Sequence, residues 1–115
     1  MNLTLIILAL IQLESGGNPD ARNGDCVGVL QLRPCYVADA NRILGLECFT
    51  LADRESRVKS LRMARVVLWH YAKPEWGIID FALCHKCGIK GMLTPGAEDL
   101  DYAERCKTLV KEMEK

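Results

Sequence analysis

Apolar residues fill nearly every position of the first segment of the chain, from Leu3 to Leu13. A helix that is apolar on all sides is usually buried in a protein core. The run is also too short to cross a bilayer, which takes about 20 apolar residues. No basic residue precedes the run and no small-residue cleavage site follows it, unlike in a signal peptide. We therefore expect a helix over 2–15 in the centre of one domain, without stable membrane insertion.

Four later segments have apolar residues at three- and four-residue steps, which predicts helices. They are 35–45, about 53–72, 78–87 and a last helix that begins near Glu98. The second of these is predicted to be the longest, with Val58 on its apolar stripe and a capping pair of Thr50 and Asp53 at its start. Residues 18–28 are rich in turn residues, and Asn23-Gly24 predicts a tight hairpin turn. The expected fold is mainly α, a single domain over 1–115 with at most a small β-hairpin or irregular loop.

The composition narrows the range of partners. Fifteen basic residues balance fifteen acidic residues among 115, and half of the chain is hydrophobic. A neutral chain without blocks of like charge has no field to attract nucleic acid or an anionic surface. We expect a monomer that binds no nucleic acid and needs no cofactor or metal.

Glu14 stands at the end of the apolar run, directly before the turn residues "SGGNPD". The negative end of a helix dipole favours cations there, so a carboxylate has the wrong sign. A local rule that is broken without compensation often marks a functional site.

Two motifs follow in order: "ESGGNPDA" from Glu14, and "GVLQLRP" from Gly28. Together they resemble the lysozyme-like lytic transglycosylase family, in particular its small phage and prophage forms. The resemblance covers about residues 3–72 well and is weaker beyond. The matching positions are Glu14, Ser15, Gly16, Gly17, Asn18, Pro19, Ala21, Gly28, Leu30, Gln31, Leu32 and Pro34.

The resemblance implies a goose-type lysozyme-like fold and cleavage of the bond between muramic acid and glucosamine in peptidoglycan glycan strands. Glu14 would be the only acid and base, and the 6-hydroxyl of the sugar would attack to give a 1,6-anhydro end. Burial and a helix C-terminus both favour the uncharged form of a carboxyl group, which can then donate a proton. A small phage form would be made in the host cytoplasm without a signal peptide and would act on the cell wall, from a virion or at lysis.

Five further residues are candidates for substrate contacts. Ser15 and Gln31 align with family positions that support the glutamate or touch sugar, and a polar side chain between Leu30 and Leu32 needs a partner. Tyr71 and Tyr102 are candidates for stacking on sugar rings. His85 falls where the family has an aromatic residue.

The stretch "ALCHKCGIKG" at 82–91 departs from the family, which usually has an Ala-Tyr-Asn-Ala-Gly or Trp-Asn-Gly-Gly type of segment there. His85 replaces the aromatic residue and Lys86 replaces the asparagine. A non-catalytic module that binds peptidoglycan is therefore an alternative of another class.

Two more alternatives follow from the residues. A hydrolase of the same bond would need a second carboxylate at a set distance from the first, and Asp20 and Asp25 are candidates. The "CHKC" pair at 84–87 can begin a zinc or redox site, which His85, Cys26 or Cys35 would complete. We interpret the six cysteines as reduced thiols rather than as disulfides.

Overall fold

The computed structural model describes residues 2–115 and consists of five helices and one small hairpin. This confirms the mainly α prediction. The helices are α1 (Leu3–Ser15), α2 (Pro34–Leu44), α3 (Arg57–Tyr71), α4 (Ile78–Gly91) and α5 (Ala97–Met113), and the antiparallel strands are β1 (Arg22–Asn23) and β2 (Cys26–Val27).

Helix α1 runs through the core, as its apolar pattern predicts. Ile6, Ile7 and Leu10 have no exposed surface, and the helix packs against α3, α4 and α5. The side chain of Asn2 accepts from the first free N–H groups of the helix. At the other end Gly16 takes the left-handed conformation that closes a helix. These two caps place Glu14 in the last turn.

The start of α3 differs from the prediction. Thr50 and Asp53 do form a capping box, but it begins a short 3-10 helix over Leu51–Glu55, and Ser56 caps α3 itself. Because α3 starts later, its 15 residues are fewer than the 17 of α5, and the prediction that it is the longest helix was wrong.

The apolar stripe of α3 differs from the prediction at its first residue. Val58 is 59% exposed, whereas Leu68 further along the same predicted stripe is fully buried, and so is Met63. The buried face is therefore rotated away from Val58, because α3 packs against α1, α2 and α4 on the side that carries Met63.

The hairpin turn lies one residue later than predicted. Asn23 pairs with Cys26, so the two turn residues are Gly24 and Asp25, and Gly24 has a φ of +60°. Helix α4 is regular up to Cys87 and then kinks at Gly88, where φ is +80°, before one more turn ends at Gly91. None of the helices described over residues 2–115 combines the length and apolar character that spanning a membrane demands.

Candidate functional site

Glu14 lies where α1 meets α5. The Glu14 side chain is 21% exposed, and its Oε2 accepts a hydrogen bond of 2.7 Å from the hydroxyl of Tyr102. Burial and the neighbouring Glu14 raise the pKa of Tyr102, so that hydroxyl keeps its proton and remains a donor. Because Tyr102 occupies Oε2, the other oxygen of Glu14 is the one left for a ligand.

His85 is the second neighbour of Glu14. Its Nε2 lies 3.8 Å from Oε2 of Glu14 and 3.1 Å from the carbonyl oxygen of Leu30. A carbonyl oxygen only accepts, so Nε2 carries the hydrogen and donates to Leu30. On the other side Nδ1 lies 3.2 Å from the hydroxyl of Tyr36. The imidazole is thereby held between α2, α4 and the loop that contains Leu30.

The imidazole of His85 is neutral in this arrangement. Burial lowers its pKa below 6.5, and the opposing influences of Glu14 and the Leu30 carbonyl are smaller. Burial raises the pKa of Tyr36 well above its usual range, so its hydroxyl donates to Nδ1. The contact between His85 and Glu14 therefore joins a carboxyl group to a neutral ring, and it supplies no fixed positive charge.

Ser15 and Gln31 both brace the loop that follows Glu14. The hydroxyl of Ser15 donates to the carbonyl of Val29 at 2.7 Å and accepts from the N–H of Gly17. The Nε2 of Gln31 donates to the carbonyls of Ala21 and Gly28, at 2.9 Å each. The polar partner that Gln31 was expected to need is thus the backbone of the loop.

Gly28 is required by the close packing of this loop. Its φ is +88°, and a side chain there would place Cβ 1.8 Å from the carbonyl oxygen of Arg54. Only glycine tolerates both conditions. The glycine that the motif matches therefore sets the path of the chain from Glu14 to Gln31.

Tyr71 lies away from Glu14, in a groove of about 550 Å³ between α2, the end of α3 and α4. Its hydroxyl donates to the carboxylate of Asp39 and accepts from Arg42. His85 also lines this groove, so the ring of His85 forms a wall that the groove shares with the Glu14 site. Of the predicted substrate contacts, the structure brings Tyr102 and His85 to Glu14, and Tyr71 to the groove.

The candidates for a second carboxylate stay apart from these contacts. Asp20 and Asp25 are exposed in the turn-rich loop. Over residues 2–115 the polar side chains that contact the carboxyl group of Glu14 belong to Tyr102 and His85.

The Cys-x-x-Cys pair lies on α4. Cys84 is buried, which raises the pKa of its thiol to about 12, and burial likewise raises the pKa of the half-buried Cys87. Thiols with raised pKa values are poor nucleophiles and poor ligands. Across residues 2–115 all six cysteines are free thiols, and no three His, Cys, Asp or Glu side chains are grouped to hold a metal ion.

Comparisons with protein-family models, with curated proteins and with solved structures find no match to this chain.

Lys86, the neighbour of His85 in α4, contacts α5. Its Nζ lies 3.3 Å from Oδ1 of Asp99 and 5.4 Å from the ring centre of Tyr102. Lys86 thus packs on the side of Tyr102, the residue that holds Glu14.

Tyr36 and Asp39 belong to the site region and were not predicted from the sequence. Both belong to α2, one turn apart, and line the groove. Their spacing of three residues was a usable signal, because it places two polar groups on one face of a helix.

Proposed function

We propose that this chain cleaves the glycan strands of peptidoglycan between muramic acid and glucosamine, with Glu14 as the acid and base. The observation that carries the proposal is the setting of Glu14: a half-buried carboxyl group, held by a tyrosine hydroxyl beside a neutral imidazole. A general acid and base must be a positioned side chain within hydrogen-bond reach of the group that receives or gives up the proton.

The proposed reaction uses one oxygen of Glu14. The protonated carboxyl group donates its proton to the glycosidic oxygen while the bond from that oxygen to C1 of muramic acid breaks. The carboxylate then accepts the proton of the 6-hydroxyl as that oxygen bonds to C1. The products are a 1,6-anhydro end and a free 4-hydroxyl, and Glu14 is protonated again. Tyr102 keeps the carboxyl group oriented through Oε2 during both steps.

We propose a transglycosylase rather than a hydrolase because the family that the sequence resembles uses one glutamate as both acid and base. A hydrolase uses a second carboxylate, about 5–9.5 Å from the first depending on the mechanism. The two sequence candidates for that carboxylate, Asp20 and Asp25, are exposed in the turn-rich loop. We propose that the chain acts on the cell wall as a monomer after synthesis in the host cytoplasm.

A non-catalytic module that binds peptidoglycan is the second candidate. Lys86 favours it, because it stands where the family that the sequence resembles has an asparagine, and because its ammonium group is paired with Asp99 beside Tyr102. Such a module would hold glycan strands without cutting them.

Digestion of purified peptidoglycan in oxygen-18 water tests the proposal, with soluble products identified by mass spectrometry. We expect anhydro-muramoyl ends without the heavy isotope, and no such products from Glu14→Gln made in the same way. Reducing ends that carry oxygen-18 would show hydrolysis. Wild-type protein that sediments with peptidoglycan but releases nothing would support the binding module.

A further inference from the structure

The groove beside His85 carries an excess of positive charge. Arg33 and Lys90 line it, and neither has a carboxylate partner within residues 2–115. The single carboxylate in the lining, Asp39, is already bound by Arg42 and Tyr71. Two cations in the groove therefore remain available to an anionic ligand.

The position of the Arg33 charge is fixed by the fold. A guanidinium nitrogen of Arg33 donates to the carbonyl of Lys86 at 3.1 Å, which ties the start of α2 to α4. Cys35, in the first turn of α2, also lines the groove, so the positive end of that helix dipole faces the same space. The helix end adds to the field of Arg33.

The lining of the groove also has an apolar part. It includes Ala38, Val67 and Ile89, together with the buried thiol of Cys84. A groove that combines apolar residues with unpaired cations suits a short peptide with small aliphatic side chains and free carboxylates. A glycan strand without peptides offers hydroxyls, acetamide groups and the lactyl carboxylate of muramic acid, but no aliphatic side chains for the apolar residues.

We propose that this groove binds the peptide stem of peptidoglycan through its carboxylates, with Arg33 and Lys90 as the recognising residues. This inference rests on the proposed function. The peptide stem is attached, through the lactyl group, to O3 of the same muramic acid ring whose bond from C1 to the glycosidic oxygen is cleaved. A stem site must therefore lie next to the acid, and His85 is the wall between them: its Nε2 is near Glu14 and its Nδ1 side is bound to Tyr36 in the groove.

Calorimetric titration with a synthetic stem tetrapeptide, L-Ala-γ-D-Glu-L-Lys-D-Ala, tests this at low salt. We expect binding by the wild type, and binding at least about tenfold weaker after Arg33→Gln with Lys90→Gln, because charge-assisted hydrogen bonds are lost. The same peptide with its carboxylates amidated should bind the wild type as weakly as the unmodified peptide binds the Arg33/Lys90 double variant. The matched control is Arg62→Gln with Lys111→Gln, which removes two exposed cations outside the groove and should bind like the wild type.

Equal affinity of the wild type and the Arg33/Lys90 double variant, or no binding of the tetrapeptide to either, would overturn the proposal. The readout is independent of cleavage. Glycan digestion without peptide binding would refute the stem site alone, whereas peptide binding by a protein that cuts no glycan would refute the proposed reaction alone.

Discussion

Two carboxyl groups in this protein each receive a tyrosine hydroxyl, and they differ in what else surrounds them. Tyr102 donates to Glu14, and Tyr71 donates to Asp39. The exposed fractions of the two acidic side chains are similar, at 21% and 25%. Burial therefore does not distinguish them.

Charge does distinguish them. Arg42 donates to Asp39 from Nε and from a second nitrogen, so this carboxylate has a permanent cation. The corresponding neighbour of Glu14 is His85, whose buried ring is neutral. Asp39 is therefore part of an ion pair, which is a structural role, whereas the polar neighbours of Glu14 are uncharged. This difference fits the role that we propose for Glu14.

Giving Glu14 a permanent cation should remove this difference and should have the largest effect among changes to the neighbours of the two carboxyl groups. We expect Tyr102→Arg to lower turnover of glycan strands by about a hundredfold or more, because the carboxyl group would be held as an anion and would lose its role as an acid. Tyr102→Gln, of similar reach without charge, should retain more activity. Equal rates for the two variants, both folded by circular dichroism, would contradict this.

Removing the two tyrosine hydroxyls separately should give a smaller effect. Tyr102→Phe is expected to lower turnover by about tenfold, because Glu14 loses the bond that orients it. Tyr71→Phe should leave the turnover of peptide-free glycan strands nearly unchanged and only lower the melting temperature. A reversed order of activities would place the chemistry at Asp39.

His85 should make the stability of the fold depend on pH. Its pKa in the folded protein is below 6.5, so as pH falls through about 6.5 the unfolded chain takes up a proton that the folded chain does not. Stability is then lost as pH falls. We expect the melting temperature to drop between pH 7.5 and 5.5, and to drop less in His85→Gln.

The only other histidine of the chain supplies the control for this titration. His70 is exposed on α3, so His70→Gln should keep the full decrease of the wild type. A decrease that disappears in His70→Gln and persists in His85→Gln would show that the buried ring is not the group that titrates.

Removing the cation of Asp39 should have the smallest effect. Arg42 and Asp39 form a partly exposed ion pair, and such pairs contribute little to stability. We expect Arg42→Gln to lower the melting temperature slightly and to change turnover of peptide-free strands by no more than about twofold. A large loss of turnover would mean that Arg42 acts in the reaction.

The sequence predicted what depends on local interactions. The apolar run predicted the buried α1, and the turn residues "SGGNPD" predicted its end, so the position of Glu14 in the last turn followed from adjacent residues. The capping pair of Thr50 and Asp53 was also correct, but no local signal showed that a 3-10 helix would end before α3 begins.

The site could be predicted only in part, because its contacts join distant parts of the chain. Tyr102 was a candidate for stacking on sugar, and its bond to Glu14 spans 88 positions. Gln31 was a candidate for touching substrate, yet its amide braces the loop. The pKa of His85 is lowered mainly by burial, and burial depends on tertiary packing that no periodic pattern reveals.

The most direct test compares the two carboxyl groups in one assay, by measuring the initial rate at which soluble fragments are released from purified peptide-free glycan strands. Each group is changed to its neutral amide, as Glu14→Gln and Asp39→Asn. We predict a loss of roughly 10²- to 10⁴-fold for Glu14→Gln, the range for loss of a general acid and base, and a rate within a few-fold of the wild type for Asp39→Asn. Equal losses in the two variants, or an active Glu14→Gln protein, would contradict the role proposed for Glu14.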